Sequence, residues 1–288
     1  MKITKTRYND YMEKKIYQIK QDCDVISFLN GEGISYSYAC KLLRNKDVRI
    51  NEVKIKENQP IFAGDQLTVF LSEEIVSPQD IIKKWIVFED DNIVVVNKGV
   101  GIEIEGKGGL CEKFKALAVH RLDRNTTGLV VMAKNKEAQN ALTLAFKNHE
   151  VEKKYIAEVV GQTSYKNFRH NAFLLKNSQE SLVKIFDKQV KGSVEISSIF
   201  TTLKSNPSSS IVECTLITGK THQLRASLAH LGHPIIGDGK YGKNEDNKKF
   251  KQKFQRLHST SLTFKQLPPP LSYLNGKTFK QFPEWYKQ

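Results

Sequence analysis

One stretch of ten residues organises the sequence: His120-Arg121-Leu122-Asp123-Arg124-Asn125-Thr126-Thr127-Gly128-Leu129. Asp123 stands between two arginines, directly before a turn-like Asn-Thr-Thr-Gly and an apolar run that is typical of a buried strand. Nearby positive charge favours the ionised form of a carboxylate, which suits a nucleophile or a base better than an acid. Taken alone, the charge triplet also fits a solvated ladder of ion pairs at a strand end.

Length, charge and hydropathy narrow the classes of partner. The 288 residues allow between one and about three domains with a substantial core. A formal net charge of +14 and a pI near 9.4 predict a polyanionic partner, either nucleic acid or an anionic membrane surface. No apolar run approaches the roughly 20 residues that cross a bilayer, and no apolar segment follows the basic N-terminus as in a signal peptide.

The cysteine pattern favours a reducing cytoplasm. The four cysteines are widely spaced and form no Cys-x-x-Cys pair: Cys23, Cys40, Cys111 and Cys214. This spacing argues against a zinc ribbon and predicts thiols that serve as small buried side chains.

Hydrophobic periodicity divides the chain into four segments. We expect an N-terminal extension at 1–23, a small domain at 24–72, a linker at 73–84 and a larger domain at 85–288. The small domain begins with apolar residues at helical spacing and continues into short alternating runs that predict strands.

The central stretch resembles the signature of the RluA-type pseudouridine synthases, an RNA-modifying family. The match departs at one position, where Thr127 replaces the usual Ser and keeps its hydroxyl. In that family the acid of this motif is catalytic, so the resemblance gives this role to Asp123.

A second stretch, Lys153-Lys154-Tyr155-Ile156-Ala157-Glu158-Val159-Val160-Gly161, is a predicted strand closed by Gly. It resembles the family motif whose tyrosine lies in the active site. Considered alone, Tyr155 is a strand aromatic packed in the core. Beside a catalytic acid we expect it to stack on a flipped base, and its hydroxyl could also carry a proton. Lys154 is then expected to approach a phosphate or the acid.

A third stretch, Thr218-Gly219-Lys220-Thr221-His222-Gln223-Leu224-Arg225, opens a helix that Thr221 can cap. It resembles the family motif whose arginine, here Arg225, pairs with the catalytic acid. The motif departs at Lys220, where the family more often has Arg; Lys keeps the charge but loses the bidentate fork.

Two other interpretations of the third stretch are set aside. Gly-Lys-Thr suggests a P-loop, but Walker A requires Gly where this chain has Cys214, so no nucleotide cofactor is expected. The spacing of His222, His230 and His233 matches no familiar ligand pattern, so no metal is expected.

The small domain at 24–72 resembles the S4-type RNA-binding domain. Its basic face would position RNA through phosphate contacts, although an ordinary solvated helix edge is the alternative. Together with the catalytic set Asp123, Tyr155 and Arg225, the resemblance implies these RNA-binding residues: Arg121, Arg124, Lys154, Lys220, His222, Gln223, Lys41, Arg44, Lys46 and Arg49.

The resemblance implies an α+β fold: a small S4-type domain followed by a catalytic domain on a long mixed, largely antiparallel sheet with flanking helices. The expected function is isomerisation of specific uridines to pseudouridine in structured RNA, favouring large-subunit (23S) ribosomal RNA, by a cytoplasmic monomer without cofactor or metal. Transfer RNA as substrate, a non-catalytic RNA-binding or ribosome-assembly protein, and a basic protein of the membrane surface are the alternatives. The motifs leave open whether Asp123 attacks C1′, attacks C6 or abstracts the 2′ proton.

Overall fold

The computed structural model describes residues 12–32, 34, 36–72, 84–177 and 182–286. The chain divides into two compact units, Met1–Lys84 and Trp85–Gln288. Apart from Lys84, the predicted linker at 73–84 lies outside the described residues, as do residues 1–11 of the predicted extension.

The first unit has a four-stranded antiparallel sheet and two helices. Its strands are β1 (Met12–Gln18), β2 (Cys23–Asp24), β3 (Val48–Ile50), β4 (Val53–Ile55), β5 (Pro60–Ile61) and β6 (Gln66–Ser72), and its helices are α1 (Val25–Gly31) and α2 (Tyr36–Asn45). The sheet order is β1-β6-β3-β4, while β2 and β5 pair separately. The predicted extension therefore contributes a strand, because β1 pairs with β6 along its whole length.

Apolar side chains at helical and alternating spacing close the core of this unit. Leu29 and Leu42 from the two helices pack with Leu67 and Val69 from β6, and all four are buried. Helix α1 begins where the side chain of Asp24 accepts a hydrogen bond from the Ser27 backbone N–H at 3.0 Å.

The second unit is built on an eleven-stranded mixed sheet in the described residues. Its strands are β7 (Ile86–Glu89), β8 (Ile93–Lys98), β9 (Leu117–Ala118), β10 (Thr127–Ala133), β11 (Val151–Val160), β12 (Phe168–Asn177), β13 (Leu182–Phe186), β14 (Val194–Ser205), β15 (Ser209–Leu216), β16 (Leu257–Phe264) and β17 (Thr278–Lys280). The main order is β13-β12-β14-β15-β11-β16-β10-β8-β7, with β17 beside β16 and β9 beside β10. The pairing is parallel between β10 and β16 and antiparallel at the other named pairs, which confirms the predicted mixed, largely antiparallel sheet.

Helices cover both faces of this sheet. They are α3 (Leu110–Phe114), α4 (Lys136–Lys147), α5 (Gln223–His230) and α6 (Asn244–Lys249). Successive residues of β8 and β10 alternate between two buried clusters, one completed by α4 and the other by α5. Asn135 caps α4 as predicted, accepting the Ala138 backbone N–H at 2.9 Å. Over the described ranges, no helix has the length and apolar character needed to cross a membrane.

Gly128 explains why the central motif contains a glycine at that position. It opens β10 opposite Ser259 of β16, at the parallel pairing of the two strands. A Cβ at this site would lie 2.3 Å from the Ser259 carbonyl oxygen, and its φ of +106° is unfavourable for other residues. The glycine lets the backbones of β10 and β16 approach closely near the start of β10. The loop that carries Asp123 lies directly before this point.

Candidate active site

Asp123 and Arg225 meet at the base of a cleft in the second unit. Asp123 lies in the loop before β10 and Arg225 lies in α5, 102 residues further along the chain. The Arg225 Nη1 donates to Asp123 Oδ2 at 2.8 Å, which confirms the predicted contact. Arg225 is 6 % exposed, so water screens this ion pair little.

Asp238 is a second carboxylate bound by Arg225, and it was not among the site residues predicted from the sequence. Arg225 donates from Nε and Nη2 to Asp238 Oδ2 and Oδ1 at 2.7 and 2.9 Å, a bidentate pair. Asp238 is fully buried, and its Oδ1 also accepts the backbone N–H groups of Lys240 and Tyr241. Burial by itself would raise the pKa of Asp238, but Arg225 and these hydrogen bonds lower it below its usual value. An acid closely following the apolar pair Ile235-Ile236 was the signal available in the sequence.

Lys98 stabilises the loop that carries Asp123, and it was not among the site residues predicted from the sequence. Its side chain is 1 % exposed and Nζ donates to the carbonyl oxygens of Gly99, Ile102 and Arg124 at 3.0, 3.0 and 2.9 Å. Burial lowers the pKa of Lys98 to about 8, although Glu103 and Asp123 oppose the shift. Because Arg124 directly follows Asp123, this lysine holds the backbone that carries the acid. A lone lysine ending the apolar strand β8 was the available signal.

Tyr155 lies on β11 and lines the cleft. Only 7 % of it is exposed. Burial and then the charge of Asp123 raise the pKa of the Tyr155 phenol far above its usual range. The hydroxyl therefore stays protonated at neutral pH, so it can donate a hydrogen bond, and no phenolate is present to act as a base.

Lys154 does not approach the acid, so that alternative of the expectation is wrong, while its contact with a phosphate stays a prediction. Its Nζ lies 3.2 Å from Glu213 Oε1 on the neighbouring strand β15, and it does not line the cleft. Successive side chains of a strand point to opposite faces, so Lys153 shares the face of Tyr155 and Lys154 does not. Lys153 lines the cleft and is 9 % exposed.

The loop before α5 differs from the prediction. The helix begins at Gln223, and His222, with φ of 54°, takes the N-cap position expected for Thr221 without a side-chain cap. The Gln223 amide accepts from the Lys220 N–H and the Thr218 hydroxyl and donates to Ser198 Oγ at 2.9 Å. Gln223 therefore stabilises the loop, and its amide is not free for the RNA contact that we expected.

His222 remains beside the acid. Its Nε2 lies 3.7 Å from Asp123 Oδ2, and its Nδ1 is 2.9 Å from the Tyr241 hydroxyl. Burial lowers the pKa of His222; Asp123 opposes this and Arg225 adds to it.

The histidine of the central motif is structural. His120 Nε2 accepts the Val131 backbone N–H at 3.0 Å, and its ring stacks on Phe146. Burial, with a smaller contribution from Lys153, lowers the pKa of His120 to about 3, so the ring stays neutral.

The cleft has a volume of about 530 Å³ and a positive lining. Asp123 is its single carboxylate in the part of the chain that the structure describes, against five cationic side chains: Arg121, Lys147, Lys153, Lys220 and Arg225. Of these, Arg121, Lys147 and Lys220 are exposed, and Arg121 and Lys220 are the two for which we predicted RNA contacts. This volume and charge suit one nucleotide of a polyanion.

The other predicted RNA-binding residues lie outside this lining. Arg124 is exposed, and its Nε donates to the Gly101 carbonyl at 3.2 Å. In the first unit, Lys41 and Arg44 are exposed on α2, Lys46 is exposed directly after it, and Arg49 on β3 lies 3.1 Å from Glu52. Within the described ranges, no group of three or more His, Cys, Asp or Glu residues is placed to hold a metal ion.

The mixed sheet presents an arginine-bound carboxylate to a basic cleft of nucleotide size, an arrangement suited to an enzyme that acts on a polyanion. Two solved structures share the fold. Human RNA Pseudouridylate Synthase Domain Containing 1 is 26 % identical with a TM-score of 0.56, covering 62 % of this chain and 77 % of that one. Human RNA Pseudouridylate Synthase Domain Containing 4 is 23 % identical with a TM-score of 0.57, covering 72 % and 93 %.

Residues 92–230 match the family model described as RNA pseudouridylate synthase. The ribosomal large subunit pseudouridine synthase C of Vibrio parahaemolyticus is 32 % identical, covering 73 % of this chain and 72 % of that protein. The protein of the same name from Salmonella typhimurium is 32 % identical over 81 % of each chain. The chain therefore belongs to the RNA pseudouridylate synthase family, as the motifs predicted, and is an enzyme that isomerises uridine to pseudouridine.

Proposed function

We propose that this protein converts uridines of large-subunit ribosomal RNA to pseudouridine, with Asp123 as the catalytic residue. The observation that carries the proposal is the Asp123 carboxylate at the base of the basic cleft, held by Arg225 at 2.8 Å. The ribosomal substrate is supported by relatives named as ribosomal large subunit pseudouridine synthases.

The uridine must first leave its stack, which costs a few kcal/mol, and contacts in the cleft offset this cost. Stacking of the base on Tyr155 would contribute roughly 1–3 kcal/mol. The cationic lining, including the exposed Arg121 and Lys220, attracts the backbone.

Arg225 and His222 both approach Asp123 Oδ2. This arrangement leaves Oδ1 as the oxygen that acts on the nucleotide. Attack on C1′, attack on C6 and abstraction of the 2′ proton all use this same oxygen.

The reaction is an isomerisation without net oxidation. The N1–C1′ bond breaks, the uracil turns, and a C5–C1′ bond forms. The C5 proton then leaves and N1 gains a proton. Because the Tyr155 phenol stays protonated at neutral pH, Asp123 is the group we assign to removal of the C5 proton, with Tyr155 as a hydrogen-bond donor.

We further propose that residues 24–72 form an S4-type RNA-binding domain, and that the protein acts in the cytoplasm on its ribosomal RNA. The exposed cations Lys41, Arg44 and Lys46 support phosphate contacts by this domain.

The test measures tritium release from transcribed ribosomal and transfer RNAs labelled at C5 of uridine, for the unaltered protein and Asp123→Asn. We expect release from large-subunit ribosomal RNA and a loss of roughly 10⁴-fold or more in the variant, with RNA binding retained. Release from transfer RNA alone would overturn the substrate assignment. Release that survives in Asp123→Asn would overturn the role of Asp123.

A further inference from the structure

Lys153 carries a buried positive charge without a counter-charge. Its side chain is on β11 and the residue is 9 % exposed. Within the described ranges, its ammonium makes no hydrogen bond or ion pair; its one recorded contact of this kind is with the Phe146 ring, whose centroid is 5.6 Å from Nζ. Burial lowers the pKa of Lys153.

Such an arrangement is unfavourable in the free protein. A buried ammonium loses its hydration, and an aromatic face returns only part of that loss. In the described part of this unit, the two other buried cations are compensated, Arg225 by two carboxylates and Lys98 by three carbonyl oxygens. Among these three cations, Lys153 is the one whose charge the described residues leave uncompensated, and it lines the cleft that a ligand would enter.

Its position indicates where that ligand lies. Lys153 and Tyr155 share the cleft face of β11 and lie two positions apart, or about 7 Å along the strand. Gly219 lines the cleft next to the ammonium, where a Cβ would lie 3.5 Å from Nζ in ordinary van der Waals contact. The ammonium therefore borders the space beside the ring on which we place the uracil.

A phosphate fits this position better than a base oxygen does. A uracil carbonyl is neutral and would leave the charge uncompensated, whereas a phosphodiester brings a full negative charge and several acceptors. Lys147 and Lys220 line the same cleft and strengthen its preference for an anion.

We propose that Lys153 binds a phosphodiester that flanks the target uridine, at a subsite beside Tyr155. This inference rests on the proposed function, since it requires RNA in the cleft. It assigns to Lys153 a binding role that the sequence had suggested for Lys154.

The first test compares Lys153→Met with the matched control Lys154→Met, whose side chain lies on the opposite face of the same strand. Binding of transcribed large-subunit ribosomal RNA is measured by filter retention between 50 and 300 mM salt, about the range in which phosphate contacts dominate. Lys153→Met should weaken binding roughly tenfold and reduce the slope of log K against log salt by about 0.7–0.9. Lys154→Met should change the affinity by less than about twofold.

The second test separates a binding role from a structural one. Urea denaturation without RNA should show Lys153→Met to be as stable as the unaltered protein or more stable, because the variant removes an unpaired buried charge. A structural lysine would instead give a destabilised variant. Lys153→Arg should retain most of the RNA affinity because it retains the charge.

Neither measurement needs turnover, so failure of the tritium assay would overturn the proposed function without deciding the role of Lys153. Unchanged affinity and salt slope in Lys153→Met, or a marked loss of stability, would overturn the phosphate subsite while leaving the catalytic proposal in place.

Discussion

Arg225 and Lys153 line the same cleft and are almost equally buried, at 6 and 9 % exposure, yet their charges are balanced differently. Three nitrogens of Arg225 donate to two carboxylates, those of Asp123 and Asp238. In the described residues the Lys153 ammonium contacts an aromatic ring and no acid.

This difference separates two tasks within one site. The network of Asp123, Arg225 and Asp238 is complete before any ligand arrives, so the acid is held in place without reorganisation during the reaction. Lys153 has no counter-charge among the described residues, and in our proposal a phosphodiester of the bound RNA offsets the cost of burying its ammonium. We therefore propose that the catalytic step uses charges that are paired within the protein. RNA binding, in contrast, uses a charge that the protein leaves unpaired.

The largest expected effect is on stability, when each of the two cations is replaced by Met. Arg225→Met leaves the buried Asp238 and the partly exposed Asp123 without a counter-charge, so we expect the free energy of unfolding to fall by about 3–5 kcal/mol. Lys153→Met should show no loss. Urea denaturation followed by circular dichroism measures both, and equal destabilisation of the two variants would contradict the proposed difference.

The variant Lys98→Met tests whether carbonyl oxygens compensate a buried ammonium as carboxylates compensate Arg225. Lys98→Met leaves three carbonyl oxygens without their donor, and we expect a loss of about 2–4 kcal/mol in the free energy of unfolding. Turnover should also slow, because one of these carbonyls directly follows Asp123. Lys134→Met is the matched control, since Lys134 forms a partly exposed pair with Glu89 and its loss should cost under about 1 kcal/mol. A control as damaging as Lys98→Met would show that the effect is not specific to the buried site.

The smallest expected effect is a change in how stability depends on pH. The pKa of Asp238 is lower in the folded protein than its usual value, so the unfolded chain binds more protons as the solution is acidified. The stabilisation from Asp238 is therefore present at neutral pH and is lost as the pH falls through the carboxyl range. Asp238→Asn should flatten the acid side of the stability curve, as measured by urea denaturation from about pH 7 down to about pH 3. An unchanged acid limb would show that the Arg225–Asp238 pair contributes little.

Apolar alternation in the sequence predicted individual strands, and the family resemblance of the motifs implied the mixed sheet and the contact between Asp123 and Arg225. The sequence also contained a signal that we did not use. The alternation of β11 is enough to place Lys153 on the face of Tyr155 and Lys154 on the other. Asp238 and Lys98 were harder to find, because nothing in their own segments shows that Arg225 or the backbone after Asp123 lies beside them.

The sequence by itself determined the periodicity of the strands, the three motifs and their order, and hence the family. Only the tertiary structure decided which charges are paired. Coulomb energy and desolvation depend on distances and burial in space, and Asp123 meets Arg225 across 102 residues of chain. Neighbouring lysines with identical side chains thus differ completely: Lys154 lies beside Glu213 at a partly exposed site, and Lys153 faces a cleft in which a phosphate is the partner that we propose.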